Sequence, residues 1–291
     1  MQGYNFFAKL AADTMLLAHD EIDLNFSLCT FFEGNLCAVL GSILYGLVQR
    51  KNIISFSFMK PLIQTVMSEN EFLKAFNYQS GINPSLVSQT IHYKKFNIKD
   101  EDLVQEYIEN ELLNEPKLPS LSVMLKKQIV VSISEIYANA ITHGNCEYVF
   151  ACGQSFTRRN TPEILFTFVD LGKTIKNNVI EYDLSHTIES INRPISGKDA
   201  IIWAASATNS TKVDNHPGGL GLKIIQEFIL QNEGKLQIIS SNGFWEFHKG
   251  EVNSYDLNAD FPGTIVNIIF NLNDSKHYFL TSELSPSKNI F

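Results

Sequence analysis

Two hydrophobic rhythms alternate along the chain. In its first part "IDLNFSLC" reads as a strand, "NLCAVLGSILYGLVQRK" as a helix, "IISFSF" as a strand and "PLIQTVMSENEFLKAF" as a helix. That order predicts a small α/β layer structure. "YQSGINPS" then supplies turn residues, and "NIKDEDLVQEYIENELLNEP" is a strongly acidic helical pattern ending at Pro116. The stretch from Tyr78 to Leu118 therefore reads as the junction between two separable domains. Residues 1–78 form the first, 79–117 an acidic helical linker and 118–291 the second. The second part opens with a helix from Leu121 to Thr142, followed by strands "EYVFACGQSFT" and "EILFTFVD" around the turn "RRNTP". From Gly172 to Pro217 the pattern is irregular, interrupted by a short helix near "KDAIIWAASA". "GLGLKIIQEFILQNEG" reads as a helix with glycines at both ends, "KLQIISSNGFWEFH" as a hairpin turned at Asn242-Gly243, and "GTIVNIIFNL" as the last strand. Hairpin-joined strands mixed with helices predict an α+β sandwich here.

Composition narrows the function classes. With 291 residues, 44% of them hydrophobic and 19% charged, the chain can bury a real core. A net charge of −8 carries no basic nucleic-acid footprint, and Lys94-Lys95 and Lys126-Lys127 are too short to make one, so no nucleic-acid partner is expected. The start, "MQGYNFFAKLAADTMLLA", lacks a basic leader with a cleavage site. "LCAVLGSILYGLV" falls short of the roughly 20 apolar residues that a spanning helix needs, so no membrane contact and a cytoplasmic location are expected. Cys29, Cys37, Cys146 and Cys152 form no Cys-x-x-Cys pair and no zinc spacing, which fits reduced thiols, with Cys29 and Cys37 as packing residues.

The chemistry-bearing pattern begins in "SEIYANAITHG", Ser134 to Gly144, where Glu135, Asn139 and His143 recur one turn apart. At about 3.6 residues per turn they share one slowly drifting stripe. Ile129, Val130, Ile133, Tyr137, Ala140 and Ile141 form a separate apolar stripe suited to a core. Taken alone, a solvated helix face explains the polar stripe. Downstream, "VDLGKT" ends a strand on Asp170 and opens a loop at Gly172. A carboxylate there can accept from an exocyclic amine, and glycine lets a flat ring come close to the backbone. In "HPGGLGLKII", Gly218, Gly219 and Gly221 lead into a helix whose first amides favour an anion such as phosphate. "FPGTIV" sets Gly263 and Thr264 at the start of the last strand.

In their order and spacing these motifs resemble the GHKL (Bergerat-fold) ATP-binding family, which includes gyrase, mismatch-repair ATPases, histidine kinases and anti-sigma-factor serine kinases. "EIYANAITH" looks like the family's asparagine box, "DLGKT" its first glycine box, "GGLGL" its second and "GT" its closing threonine, over roughly Leu118 to Leu272. The resemblance implies a Bergerat-type sandwich, a mixed sheet with helices on one face, that binds ATP with Mg²⁺. It implies that Asn139 ligates Mg²⁺, that Asp170 holds the adenine amine with Thr264 in support, and that His143, Gly172 and Thr174 line the nucleotide. Gly218, Gly219 and Gly221 would cradle phosphate in a lid that Lys212 could join. Glu135, where sensor histidine kinases usually carry asparagine, resembles the base of the ATP-hydrolysing members and the serine kinases. Thr174 departs from the family pattern, which has glycine there.

"LNFSLCTFFEGNLCAVLGSIL" resembles the STAS-like domains, over about Ile22 to Tyr78. Where antagonists of that class carry a phosphorylated serine, this chain has Glu33-Gly34-Asn35, so no phosphoacceptor is expected there. Two functions remain open at this point. One is a Mg²⁺-dependent ATPase or protein serine kinase in bacterial-type signalling, with a regulatory protein partner and with a homodimeric state left open. The other is a nucleotide-gated binding module without significant turnover.

Overall fold

The computed structural model of the chain describes residues 2–79, 81, 89–186, 195–206 and 220–283. In chain order the elements begin with helix α1 (Gln2–Thr14), strand β1 (Glu21–Asn25), α2 (Leu36–Gln49), β2 (Ile53–Ser57), α3 (Pro61–Glu69) and α4 (Phe72–Ala75). Strand β3 (Thr90–Asn97) follows, then α5 (Glu101–Tyr107) running into a π-helical turn (Ile108–Leu112), β4 (Ser120–Leu121) and α6 (Val123–Thr142). The remainder comprises β5 (Tyr148–Phe156), β6 (Glu163–Asp170), α7 (Ile175–His186), α8 (Gly197–Ala205), α9 (Leu220–Asn232), β7 (Lys235–His248), β8 (Glu251–Asn271) and β9 (His277–Tyr278).

Five strands form one sheet in the order β3-β5-β6-β8-β7, and every pairing in it is antiparallel. The fold is thus α+β, and the central sheet is antiparallel where a mixed one was expected. Parallel pairs occur outside it, β1 with β2 through the crossover α2, and β4 with β9. Alternate residues of the central strands face opposite layers, as the pleat requires. Ala151, Phe166, Phe168, Ile238, Val266 and Ile268 pack under α5, α6, α8 and α9. Phe150, Cys152, Val169, Ile239, Phe261 and Ile265 pack against α1, α2, α3 and α4. The helices α6, α8 and α9 of the second part thus lie on one face, as expected for it, and those of the first part cover the other.

The reason lies in the first part of the chain. Helix α1 inserts Phe7, Ala8 and Ala11 into the second core cluster and lies along β8. The turn Glu33-Gly34-Asn35 also faces inward. Gly34 N donates to Gln154 Oε1 at 2.6 Å, and Asn35 Nδ2 donates to Thr167 Oγ1 at 3.0 Å. Thr167 Oγ1 in turn donates to Asn267 Oδ1 at 2.6 Å, so a buried polar row ties the amino-terminal layer to the sheet. The STAS-like resemblance places its regulatory turn here, but in this chain that turn is inside the fold. Nor is 79–117 only helical, since it supplies β3, the sheet's edge strand.

Two further expectations shift. The stretch read as irregular contains α7 as well as α8. The chain also does not turn at Asn242-Gly243. Strand β7 runs on with a bulge there and turns at Lys249-Gly250, both at positive φ, between the paired His248 and Glu251. A two-residue turn of that kind matches strand twist. Gly243 instead allows close approach, because a Cβ on it would collide with the backbone of Gly197 and Lys198 at the start of α8. All four cysteines are free thiols, with Cys37, Cys146 and Cys152 buried and Cys29 half-buried.

Candidate functional site

Helix α6 starts cleanly because Ser122 caps it, its Oγ accepting from Leu125 N at 3.0 Å. It ends in the order His143, Gly144, Asn145. Asn139 O accepts from His143 N at 2.9 Å and from Gly144 N at 3.3 Å, and Asn145 takes the left-handed conformation that closes the helix. Gly144 is forced by packing, since a Cβ there would meet the Ala140 carbonyl.

The end of α6 is bound to the loop after β6. Lys173 N donates to Gly144 O at 2.5 Å, and Asn178 Nδ2 on α7 donates to His143 O at 2.9 Å. Gly172 packs so closely on Gly144 that a Cβ would strike its carbonyl. Gly263 is equally constrained, against the carbonyl of Asp170. Three glycines thus bring the end of α6, the end of β6 and the start of the last core stretch of β8 to one point.

Asp170 stands at that point. It is 5% exposed, its Oδ1 accepts from Gly172 N at 2.9 Å, and Thr264 is its ladder partner on β8. Burial pushes its carboxyl up to about 7, against backbone N–H groups of Gly172 and Thr264 that favour the charged form. No cation pairs with Asp170 among the described residues. A buried acid so perturbed marks a candidate functional site. Neighbouring Cys146 is pushed up to about 12, first by burial and then by Asp170.

The predicted residues divide as follows. Asp170, Gly172 and Thr264 converge, with His143 joined to the same junction through its carbonyl. Asn139 and Glu135 follow at one-turn intervals back along α6, both half-buried, and their side chains form no hydrogen bond or ion pair among the described residues. Thr174 does not present an open ligand position. Its Oγ1 accepts from Asn177 N at 3.3 Å and its carbonyl from Asn178 N at 3.1 Å, so it caps α7. Gly221 lies in the first turn of α9, which packs beside α6. Lys212, Gly218 and Gly219 lie outside the described residues.

Sequence reasoning missed Ser240 on β7. It is fully buried, accepts from Ile175 N at 2.9 Å, donates to Gly263 O at 3.0 Å and lies 3.0 Å from Thr264 Oγ1. Only the ladder register, which sets Ser240 opposite Thr264, reveals it. No group of three or more His, Cys, Asp or Glu side chains suited to a metal occurs among the described residues. No described helix is long and apolar enough to cross a membrane. Comparison with protein-family models, with curated proteins and with solved structures gives no match for this chain.

Proposed function

We propose that this chain binds ATP with Mg²⁺ between α6, the loop after β6 and the first turn of α9, as a GHKL-type ATPase or protein serine kinase of bacterial-type signalling. The observation that carries the reading is Asp170, a buried carboxyl with no cation paired to it among the described residues, at a strand end beside Thr264 and three close-packed glycines. In its ionised form such a group only accepts, which suits the exocyclic amine of adenine. The half-buried side chains of Asn139 and Glu135 lie along one flank of α6 without a hydrogen-bond partner among the described residues, and the hard amide oxygen of Asn139 suits Mg²⁺. Asn139 would hold the ion, which supplies charge neutralisation at the phosphates. Glu135 would take the proton of an attacking water or hydroxyl. The amides opening α9 would receive phosphate oxygens.

A nucleotide-gated binding module without turnover is the second reading. Thr174 favours it, since a buried β-branched cap stands where the family has glycine.

Calorimetry on the full chain with Mg·ATP tests the proposal. Saturable binding is expected in the wild type, with Asp170→Asn weakening it by about tenfold or more because an amide also presents a donor. Phosphate release, or transfer to a protein of a bacterial lysate, then separates the two readings. A wild type that takes up no ATP ends both.

A further inference from the structure

Strands β1 and β2 form a parallel pair of their own, apart from the central sheet. Their register fixes which backbone groups are used. Ile53 N donates to Asp20 O at 2.9 Å, and Phe26 N donates to Ser57 O at 2.9 Å. Along a parallel ladder, residues that turn N–H and C=O to the neighbour alternate with residues that turn both away. Ile53, Ser55 and Ser57 therefore serve β1, and Ile54 and Phe56 point their backbone groups to the opposite edge. Among the described residues nothing bonds those groups. By the same parity Glu21, Asp23 and Asn25 point theirs outward from β1. The two edges differ in chemistry. That of β1 carries Glu21 and Asp23, with Asp20 beside them, and self-pairing there would set like charges together. That of β2, Ile53-Ile54-Ser55-Phe56-Ser57, has no charge and no proline to blunt it. Ile53 at its start and Phe58 just past its end are 65% and 73% exposed.

We propose that the open edge of β2 is a homodimer interface, where two copies pair β2 antiparallel about a two-fold axis at Ser55. The axis follows from the groups left over. At Ser55 it sets Ile54 against the partner's Phe56 and Phe56 against the partner's Ile54, and each pair exchanges both of its backbone bonds. A two-fold at Ile54 would set Phe56 against Asn52, whose N–H already donates to Leu47 O. One at Phe56 would set Ile54 against Phe58, which has left the strand at positive φ. With the axis at Ser55, Ile53 lies opposite the partner's Ser57, next to the exposed Phe58, so the apolar ends cover each other. The result is a continuous sheet in the order β1-β2-β2-β1, with the acidic edges outermost. A lone pair of strands is marginal in water, and added strands stabilise it.

Sedimentation velocity on the full chain tests the interface, with or without nucleotide. A reversible dimer is expected. Ile54→Pro removes an outward N–H and leaves the ladder to β1 intact, so it should raise the dimer dissociation constant about tenfold or more. If Ile54→Pro does not melt cooperatively, the exposed Ser55→Lys, which sets like charges together at the axis, carries the same expectation. The register has its own test. The axis brings the two Ser55 Cα atoms to about 4.5 Å, within disulfide range. Ser55→Cys, in a chain that also carries Cys29→Ser, should therefore cross-link two copies under oxidised glutathione, and Ile53→Cys in the same chain should not. A monomer at every concentration overturns the proposal. So does a dimer unchanged by both Ile54→Pro and Ser55→Lys, or cross-linking through position 53 in place of 55.

Discussion

At the scale of single residues, Asp170 couples folding to acidity in a direction opposite to that of most surface carboxylates. Its ordinary value of 3.8 rises to about 7 because burial penalises the charged form. Between those two values the folded chain holds a proton that the unfolded chain releases. Stability from this group is therefore greatest below about pH 4 and declines as pH rises toward 7, by about 4 kcal/mol at most. Asp170→Asn removes that dependence. Melting temperatures of the two proteins should converge near pH 4, and Asp170→Asn should be the more stable at pH 8. Equal pH profiles would show that Asp170 is not the buried acid described. Under the ATP proposal the same ionisation would govern ligand uptake, since only the charged form is a pure acceptor. Thr174 gives a second residue-scale expectation. As a cap of α7 it should tolerate Thr174→Gly at a cost of a few tenths of a kcal/mol, and Thr174→Ala at about 1 kcal/mol, read by denaturant melts. The sequence could name both residues, but not their duties, because burial and capping depend on what packs nearby.

Among the elements, α6 was the most legible, because its apolar stripe and its cap follow a local period that needs no tertiary partner. Its polar stripe gives a paired expectation. Glu135→Ala should keep ATP affinity within a few-fold and lower turnover by about 10² or more, as the loss of a general base does. Asn139→Ala should weaken Mg·ATP itself. Calorimetry paired with phosphate release reads both, and normal turnover in Glu135→Ala would retire the catalytic role. Elements held by distant partners were less legible. Asn242-Gly243 carries a strong turn signal, yet its glycine serves the contact with Gly197, and the ladder continues to Lys249-Gly250. Helix α7 follows a polar sequence with no apolar period to betray it. It is fixed by Thr174, by Ser240 on its first amide and by Asn178 on the carbonyl of His143. Strand β3 carries Lys94 and Lys95 in its middle, so pairing with β5 is what defines it.

Across the whole molecule, β5, β6 and the last stretch of β8 are buried on both faces. An antiparallel sheet with one wet face would alternate. That covering decides how the chain divides. A fragment from Leu118 onward loses β3 and exposes Phe150, Val169, Ile239, Phe261 and Ile265, all buried under the amino-terminal helices. Each such side chain returned to water costs about 1.5–3 kcal/mol, and together roughly 10 kcal/mol. That is comparable to the whole stability of an ordinary domain. The broken polar row adds to the cost, because Thr167 and Asn267 lose Asn35 and Tyr4 as partners. A core shared across 79–117 leads us to expect that the two parts do not fold independently. Limited proteolysis should give a stable product that still contains residues from both halves, held together even after a nick. A fragment of 118–291 expressed alone should lack a cooperative melt and should bind a hydrophobic dye. If it instead melts cooperatively and binds ATP as the full chain does, the shared core contributes far less than its burial implies, and the amino-terminal layer is a detachable module.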